Sequence, residues 1–174
     1  MIIRELRREE LNEIWSIDRS EKIENIYRLE DGRLVLKPEH HDMKGWPPGE
    51  AESYGPLMFD CFDRGGTFLG AFEEGKLKGV SVIESRFIGR NGDRLQLKFL
   101  HVAHGYRKTG LGRTLFERAV DKARNLGANT LYVSATPSEN TIDFYLHIGC
   151  RVTDEVDREL FKLEPDDIHL EFTI

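Results

Sequence analysis

The sequence predicts a single mixed α/β domain with a mostly antiparallel central sheet flanked by helices, and three observations lead there. From Thr67 to Phe99, strand-like runs follow one another through turn signals at Glu74-Gly75 and Asn91-Gly92. Leu95, Leu97 and Phe99 alternate with Gln96 and Lys98, and past Gly112 the apolar spacing lengthens to that of a helix. Thr130 to Ala135 is then an apolar run of the kind that follows a crossover and lies buried in a sheet.

In chain order, Ile2 to Leu6 reads as a first strand and Arg8 to Ile17 as a helix with Leu11, Ile14 and Trp15 on one side. Ile26 to Leu36 reads as a hairpin turning at Asp31-Gly32. Trp46-Pro47-Pro48-Gly49 is a rigid loop, and Pro56 suits the first turn of a short helix carrying Leu57, Met58, Cys61 and Phe62 inward, ended by Gly65-Gly66. Strands follow at Thr67–Phe72 and Leu77–Ile88. The helix after Gly112 has Leu111, Leu115, Phe116, Ala119, Val120, Ala123 and Leu126 on one face and stops at Gly127. Ser138 is a plausible N-cap for a helix to Ile148; Cys150–Thr153 and Ile168–Ile174 complete the sheet.

Composition narrows the function. The chain has 174 residues, enough for one domain with a sizeable core, and 32% charged against 39% hydrophobic residues is an ordinary soluble balance. A formal net charge of −6 argues against a general nucleic-acid binder. No stretch approaches a membrane span, and MIIRELRREE lacks an apolar signal core. Cys61 and Cys150 are too few for a disulfide framework or a cysteine-rich zinc site, so a reducing cytoplasm is the simplest home. His40, His41 and Asp42 invite a metal, but no further ligand falls at a useful spacing; a solvated loop is the expectation, with no metal.

The strand-to-helix junction carries the chemistry. Between Tyr106 and Arg113 lie Arg107, Lys108, Thr109, Gly110, Leu111 and Gly112. The first turn of a helix has backbone N–H groups without partners and favours an anion, to which the three cations add. A pyrophosphate cradle is one reading; a basic surface turn is the other. A P-loop is absent, and a dinucleotide fingerprint would need glycine where Leu115 stands.

What fits is R-x-x-G-x-G at Arg107, Gly110 and Gly112, within V-x-x-x-Y-R-x-x-G-x-G-x-x-L from Val102 to Leu115. This resembles the GNAT superfamily of acyl-CoA-dependent N-acetyltransferases, with His104 where proline is frequent. A second segment, Asn140 to Cys150, resembles that family's N-x-x-x-x-Y-x-x-x-G-F, with Cys150 replacing the aromatic. The resemblance covers roughly Thr67 onward. It implies a GNAT-like fold over 1–174, with 1–66 a variable acceptor-side region and 67–174 the acyl-CoA-binding core. It also implies acetyl-CoA as co-substrate and a small-molecule or peptide amine as acceptor, with no nucleic-acid or membrane partner; exposed sheet edges allow a homodimer.

By that resemblance, the strand ending at Val102 splays from its Thr130 neighbour, leaving backbone groups of Leu100 and Val102 for the pantetheine arm. Arg107, Lys108, Thr109, Gly110, Leu111, Gly112 and Arg113 would hold the diphosphate, Asn140 the arm, and Tyr145 the departing thiolate as general acid. The general base is open. The family's usual positions hold Lys98 and Gln96. A two-residue turn at Asn91-Gly92 would set Glu84 opposite Phe99, one diagonal step from His101 on the same face. Glu84, His101 or a water relay are the candidates. An acidic mouth of Glu30, Asp31, Glu39, Asp42, Glu50 and Glu52, walled by Trp46 and Tyr54, would attract a cationic amine. A non-catalytic acyl-CoA-binding module and a nucleotide-phosphate binder stand as alternatives to direct attack by a primary amine on the thioester.

Overall fold

In the computed structural model, which describes residues 1–174, the chain forms nine strands and four α-helices. The strands are β1 (Ile2–Glu5), β2 (Glu21–Glu30), β3 (Arg33–Met43), β4 (Thr67–Glu73), β5 (Lys76–Ile88), β6 (Arg94–Val102), β7 (Thr130–Ala135), β8 (Arg151–Val152) and β9 (Ile168–Thr173). The helices are α1 (Glu50–Asp63), α2 (Leu111–Asn125), α3 (Glu139–His147) and α4 (Arg158–Leu163). Seven strands make one sheet in the order β1-β4-β5-β6-β7-β9-β8, while β2 and β3 pair only with each other. All neighbours in the large sheet run antiparallel except β6 and β7, which are joined by the α2 crossover and run parallel.

Each face of the sheet has its own core. On one, α2 and α3 bury Leu115, Phe116, Ala119, Ala123, Ile142 and Tyr145 against Ile83, Leu95, Leu97, Leu131 and Val133. On the other, α1 and a 3-10 helix at Arg8–Ser16 bury Leu11, Ile14, Met58 and Cys61 against Phe68, Val80, Val82 and Phe99. Gly79 sits under α2, where a Cβ would come within 2.9 Å of Leu115, so glycine lets the helix settle on the strand.

Several expectations need correcting. The first helix is 3-10, and it is tied down by Glu10, which accepts from both Arg4 and Arg7. α1 starts at Glu50, not at Pro56, which lies inside it; Leu57 faces solvent while Met58 and Cys61 are buried. Leu126 is likewise exposed. Asp31 and Gly32 do make the expected turn, both with positive φ (48° and 75°), but the hairpin they join is longer than predicted. It takes in His40 and His41, which are strand residues beside Glu24 and Glu39 rather than part of a loop. Ser138 precedes α3, yet its hydroxyl donates to Thr141 Oγ1 instead of accepting from a helix amide.

The most consequential correction concerns the β5–β6 hairpin. Its last pair is Ile88 with Arg94, leaving Gly89 to Asp93 as the turn, so Asn91-Gly92 is not a two-residue connection. Two irregularities follow. Val82 pairs with Phe99 but Ile83 with Leu97, so Lys98 is an extra residue in β6; Phe87 then pairs with Leu95, placing extra residues, Glu84 among them, in β5. Because side chains alternate along a strand, the bulge at Lys98 reverses the facing beyond it. Leu95 and Leu97 point to the α2 face, whereas Phe99 packs with the α1 face.

Candidate active site

The site begins where β6 and β7 part. They pair from Arg94 with Thr130 to Leu97 with Val133 and no further, although β6 continues to Val102. The bulge at Lys98 marks the parting. Beyond it, Ala103 donates its N–H to Lys78 O, which sets the alternation: main-chain groups of Phe99 and His101 face β5, and those of Leu100 and Val102 face the open side. Of these open groups, Val102 O accepts from Arg107 Nε at 3.2 Å. A strand edge with unpaired main-chain groups inside a fold needs a hydrogen-bonding partner.

The opening leads to the start of α2. Lys108 (φ 63°) and Gly110 (φ 92°) take left-handed backbone and curl the loop over the helix end. From Lys108 through Arg113, no main-chain N–H has a protein acceptor; the first to be satisfied is that of Thr114, on Gly110 O. This run of unpartnered donors at a helix N-terminus suits an anion carrying several oxygens. The two glycines do different jobs. Gly110 supplies the left-handed turn, whereas a Cβ on Gly112 would come within 3.3 Å of Phe144 and 3.7 Å of Val102, so Gly112 lets α2, α3 and β6 converge. Arg107 is half-buried and turned back along the opening, bonded to Val102 O and Ser20 O, while Lys108 and Arg113 stay outside.

Tyr145 approaches the opening from α3. Its ring packs edge-on against Phe116 and Phe144, and its hydroxyl has no partner in the protein. Burial, followed by the neighbouring Cys150 and Asp167, raises its pKa above the ordinary phenol value, so it stays protonated. Asn140, in the first turn of α3, donates to Glu21 Oε1 at 3.0 Å, and Glu21 also lies 3.9 Å from Arg107. Glu21 therefore bridges two of the predicted cofactor-side residues, a contact that no local pattern foretells.

On the α1 face, a second group of residues lines the opening. Trp46 packs against His101 (4.8 Å between ring centroids), Trp15 and Phe99, and its indole N–H donates to Ile17 O. Arg19 lies over the Trp46 ring and bonds both Glu50 oxygens at 2.9 Å. Tyr54 packs on Phe99 and donates to Glu164. Asp167, just before β9, accepts from Ser134 Oγ at 2.8 Å. Of the predicted acidic mouth, Glu50 is here with Trp46 and Tyr54; Glu30, Glu39 and Asp42 lie along the β2–β3 hairpin, paired with Lys37, Arg28 and Lys44.

The predicted proton-handling pair is not brought together. Glu84 lies in the irregular part of β5, held by Arg64 at 2.8 and 3.2 Å and 3.8 Å from Lys98. Burial works against its charge, but Arg64, the Ser85 amide and Lys98 prevail and hold its pKa below the usual carboxylate value. His101 does reach the opening. Burial pushes its pKa down to about 3, with repulsion from Arg19 and Arg107 adding to it, so the ring is neutral near pH 7.

The model of the acetyltransferase (GNAT) family matches residues 3–150. The chain belongs to the GNAT acetyltransferase family. Its fold is similar to that of nourseothricin acetyltransferase (TM-score 0.72, 20% identity, 99% of this chain and 97% of that one). It is also similar to a Bacillus anthracis protein in complex with acetyl coenzyme A (TM-score 0.66, 17% identity, 99% and 97%). A third is the PaiA N-acetyltransferase of Thermoplasma acidophilum in complex with coenzyme A (TM-score 0.64, 19% identity, 99% and 98%). No curated protein sequence matches the chain. No helix of this GNAT domain is long and apolar enough to cross a membrane.

Proposed function

We propose that this GNAT protein moves the acetyl group of acetyl-CoA to a primary amine by direct attack. The observation that carries the reading is the continuity of the open β6 edge with the unpartnered amides of Lys108–Arg113. A pantetheine arm, with its two amides, suits the groups of Leu100 and Val102. The diphosphate suits the amides of Lys108, Thr109, Gly110, Leu111, Gly112 and Arg113, with Arg107 and Lys108 for charge. Asn140 is positioned to exchange Glu21 for the arm. Structural neighbours crystallised with acetyl coenzyme A and coenzyme A support the choice of carrier.

In this reading, the amine nitrogen attacks the thioester carbonyl carbon, a main-chain N–H of the open edge steadies the oxyanion, and Tyr145 gives a proton to the departing sulfur. A covalent acetyl-enzyme is disfavoured by the state of the thiols: Cys61 and Cys150 are both buried, and burial pushes each up to about 12. The aromatic and acidic lining on the α1 face favours a cationic acceptor.

A thiol-release screen with acetyl-CoA tests this, using a panel of nourseothricin, 1,4-diaminobutane, lysine and a lysine-containing peptide. Release with at least one amine, with the acetylated amine identified by mass spectrometry, is the expected result. Coenzyme A binding without turnover of any amine would favour an acyl-CoA-binding module, and absence of binding would overturn the proposal.

A further inference from the structure

We infer that Asp167 is the proton acceptor for the attacking amine, standing across the opening from Tyr145. The inference rests on the acetyl-transfer reading and adds to it the group that reading lacks.

Position is the first argument. Leu97 with Val133 is the last β6–β7 pair, so Ser134 is the first β7 residue past the parting of the strands. Its hydroxyl donates to Asp167 Oδ2 at 2.8 Å, which fixes the carboxylate at the crotch of the opening. Ser134 lies opposite His169 in the β7–β9 ladder, and Asp167 precedes His169 by two residues, so by alternation it shares that face. This is the face that carries Phe99 and His101 beyond the bulge. Tyr145 comes from the other face. Only 6% exposed and unpartnered at its hydroxyl, it feels the charge of Asp167. An acid and a base therefore reach the same gap from opposite sides of the sheet, the arrangement in which one group can serve the leaving sulfur and the other the nitrogen.

Surroundings are the second argument. Asp167 has no guanidinium or ammonium bonded to it, unlike Glu10, Glu50, Glu84 and Glu171. The charged and titratable groups around it are Glu164 and Asp166 on its own segment, Arg19 ahead of β2, Glu50 and Tyr54 on α1, and Tyr145 on α3. Burial pushes its pKa up to about 6; the Ser134 hydroxyl lowers it, Glu164 and Asp166 raise it, and Arg19 lowers it. The same burial lowers the pKa of an ammonium brought beside it, because transfer of one proton removes both charges. The ammonium gives one proton to Asp167. The neutral nitrogen then forms the N–C bond as the C–S bond breaks, and the second nitrogen proton replaces the one that Tyr145 gives to the thiolate. Asp167 releases its proton to solvent.

The test is the pH dependence of kcat/KM between pH 5 and 9 for the wild type, Asp167→Asn and Ser134→Ala. The amine is whichever in the panel of nourseothricin, 1,4-diaminobutane, lysine and lysine peptide gives the fastest thiol release. The wild type should lose activity below about pH 6. Asp167→Asn should lower kcat/KM by about a hundred-fold, remove that acidic limb and leave the dissociation constant of coenzyme A unchanged. Ser134→Ala removes the bond that favours the charged carboxylate, so its limb should move to higher pH with the plateau nearly kept, a shift no structural role would give. Turnover in Asp167→Asn at the wild-type rate with the limb intact overturns the inference and leaves acetyl transfer standing. Should Asp167→Asn fail to fold, an unmoved limb in Ser134→Ala overturns it instead. A wild type that acetylates none of the amines refutes both.

Discussion

The two sides of the opening are built differently. On the α2 side, the open β6 edge, the left-handed loop and the first turn of α2 follow one another without a break from Leu100 to Arg113. On the α1 side, Arg19, Trp46, Glu50, Tyr54, His101, Glu164 and Asp167 come from separate stretches that meet only in the folded chain. The first side supplies main-chain donors, which depend on backbone shape and tolerate most side chains. The second supplies side chains, and a single substitution changes its chemistry. One carrier can thus be held by a common device while the acceptor is chosen by a private one.

That contrast can be broken at four points, in descending order of effect. Gly112→Val should be the most damaging on the α2 side, since its side chain meets Phe144 and Val102. Calorimetry should show coenzyme A affinity reduced by roughly a hundred-fold, equivalent to about 2.7 kcal/mol. Tyr145→Phe removes only a hydroxyl with no protein partner, so the fold should persist. Its kcat should fall about ten- to hundred-fold while the KM for acetyl-CoA hardly moves. Trp46→Ala opens the aromatic wall on the α1 face and should raise the acceptor KM about ten-fold with coenzyme A affinity kept. An equal loss of coenzyme A binding in Trp46→Ala would erase the distinction between the sides.

The smallest effect concerns stability and pH. The folded pKa of His101, about 3, lies below the ordinary value near 6.5, so the unfolded chain binds this proton first as pH falls. His101 therefore contributes stability that is present above about pH 6.5 and lost toward pH 3. Between pH 7 and 5, urea denaturation of the wild type should show stability declining with acid, and His101→Phe should flatten the decline. Identical slopes would contradict the lowered pKa of the ring.

How far the sequence could be read follows the same division. Local signals survived: the strand at Leu95–Phe99, though not its alternation past Leu97, the Asp31-Gly32 turn, and the helix after Gly110 all encode structure within a few residues. Pairing register did not. Asn91-Gly92 looks like a two-residue turn, but Ile88 pairs with Arg94, and the irregularities that follow set Val82 instead of Glu84 opposite Phe99, leaving Glu84 on the α1 face but held by Arg64. No single-residue preference announces the bulge at Lys98, because the extra residue is specified by packing on both faces of the sheet. Asp167 was equally hidden: in Glu164-Pro165-Asp166-Asp167 it reads as a solvated acidic turn, and only the β7–β9 ladder brings it to Ser134.

We propose that the amides from Lys108 to Arg113 receive the diphosphate of coenzyme A. The most direct measurement is an amide-resolved NMR titration of the isotopically labelled protein with coenzyme A. The N–H resonances of Lys108 to Arg113 should move most, with Leu100 and Val102 following as the arm enters. Saturable binding that leaves those resonances in place would contradict it.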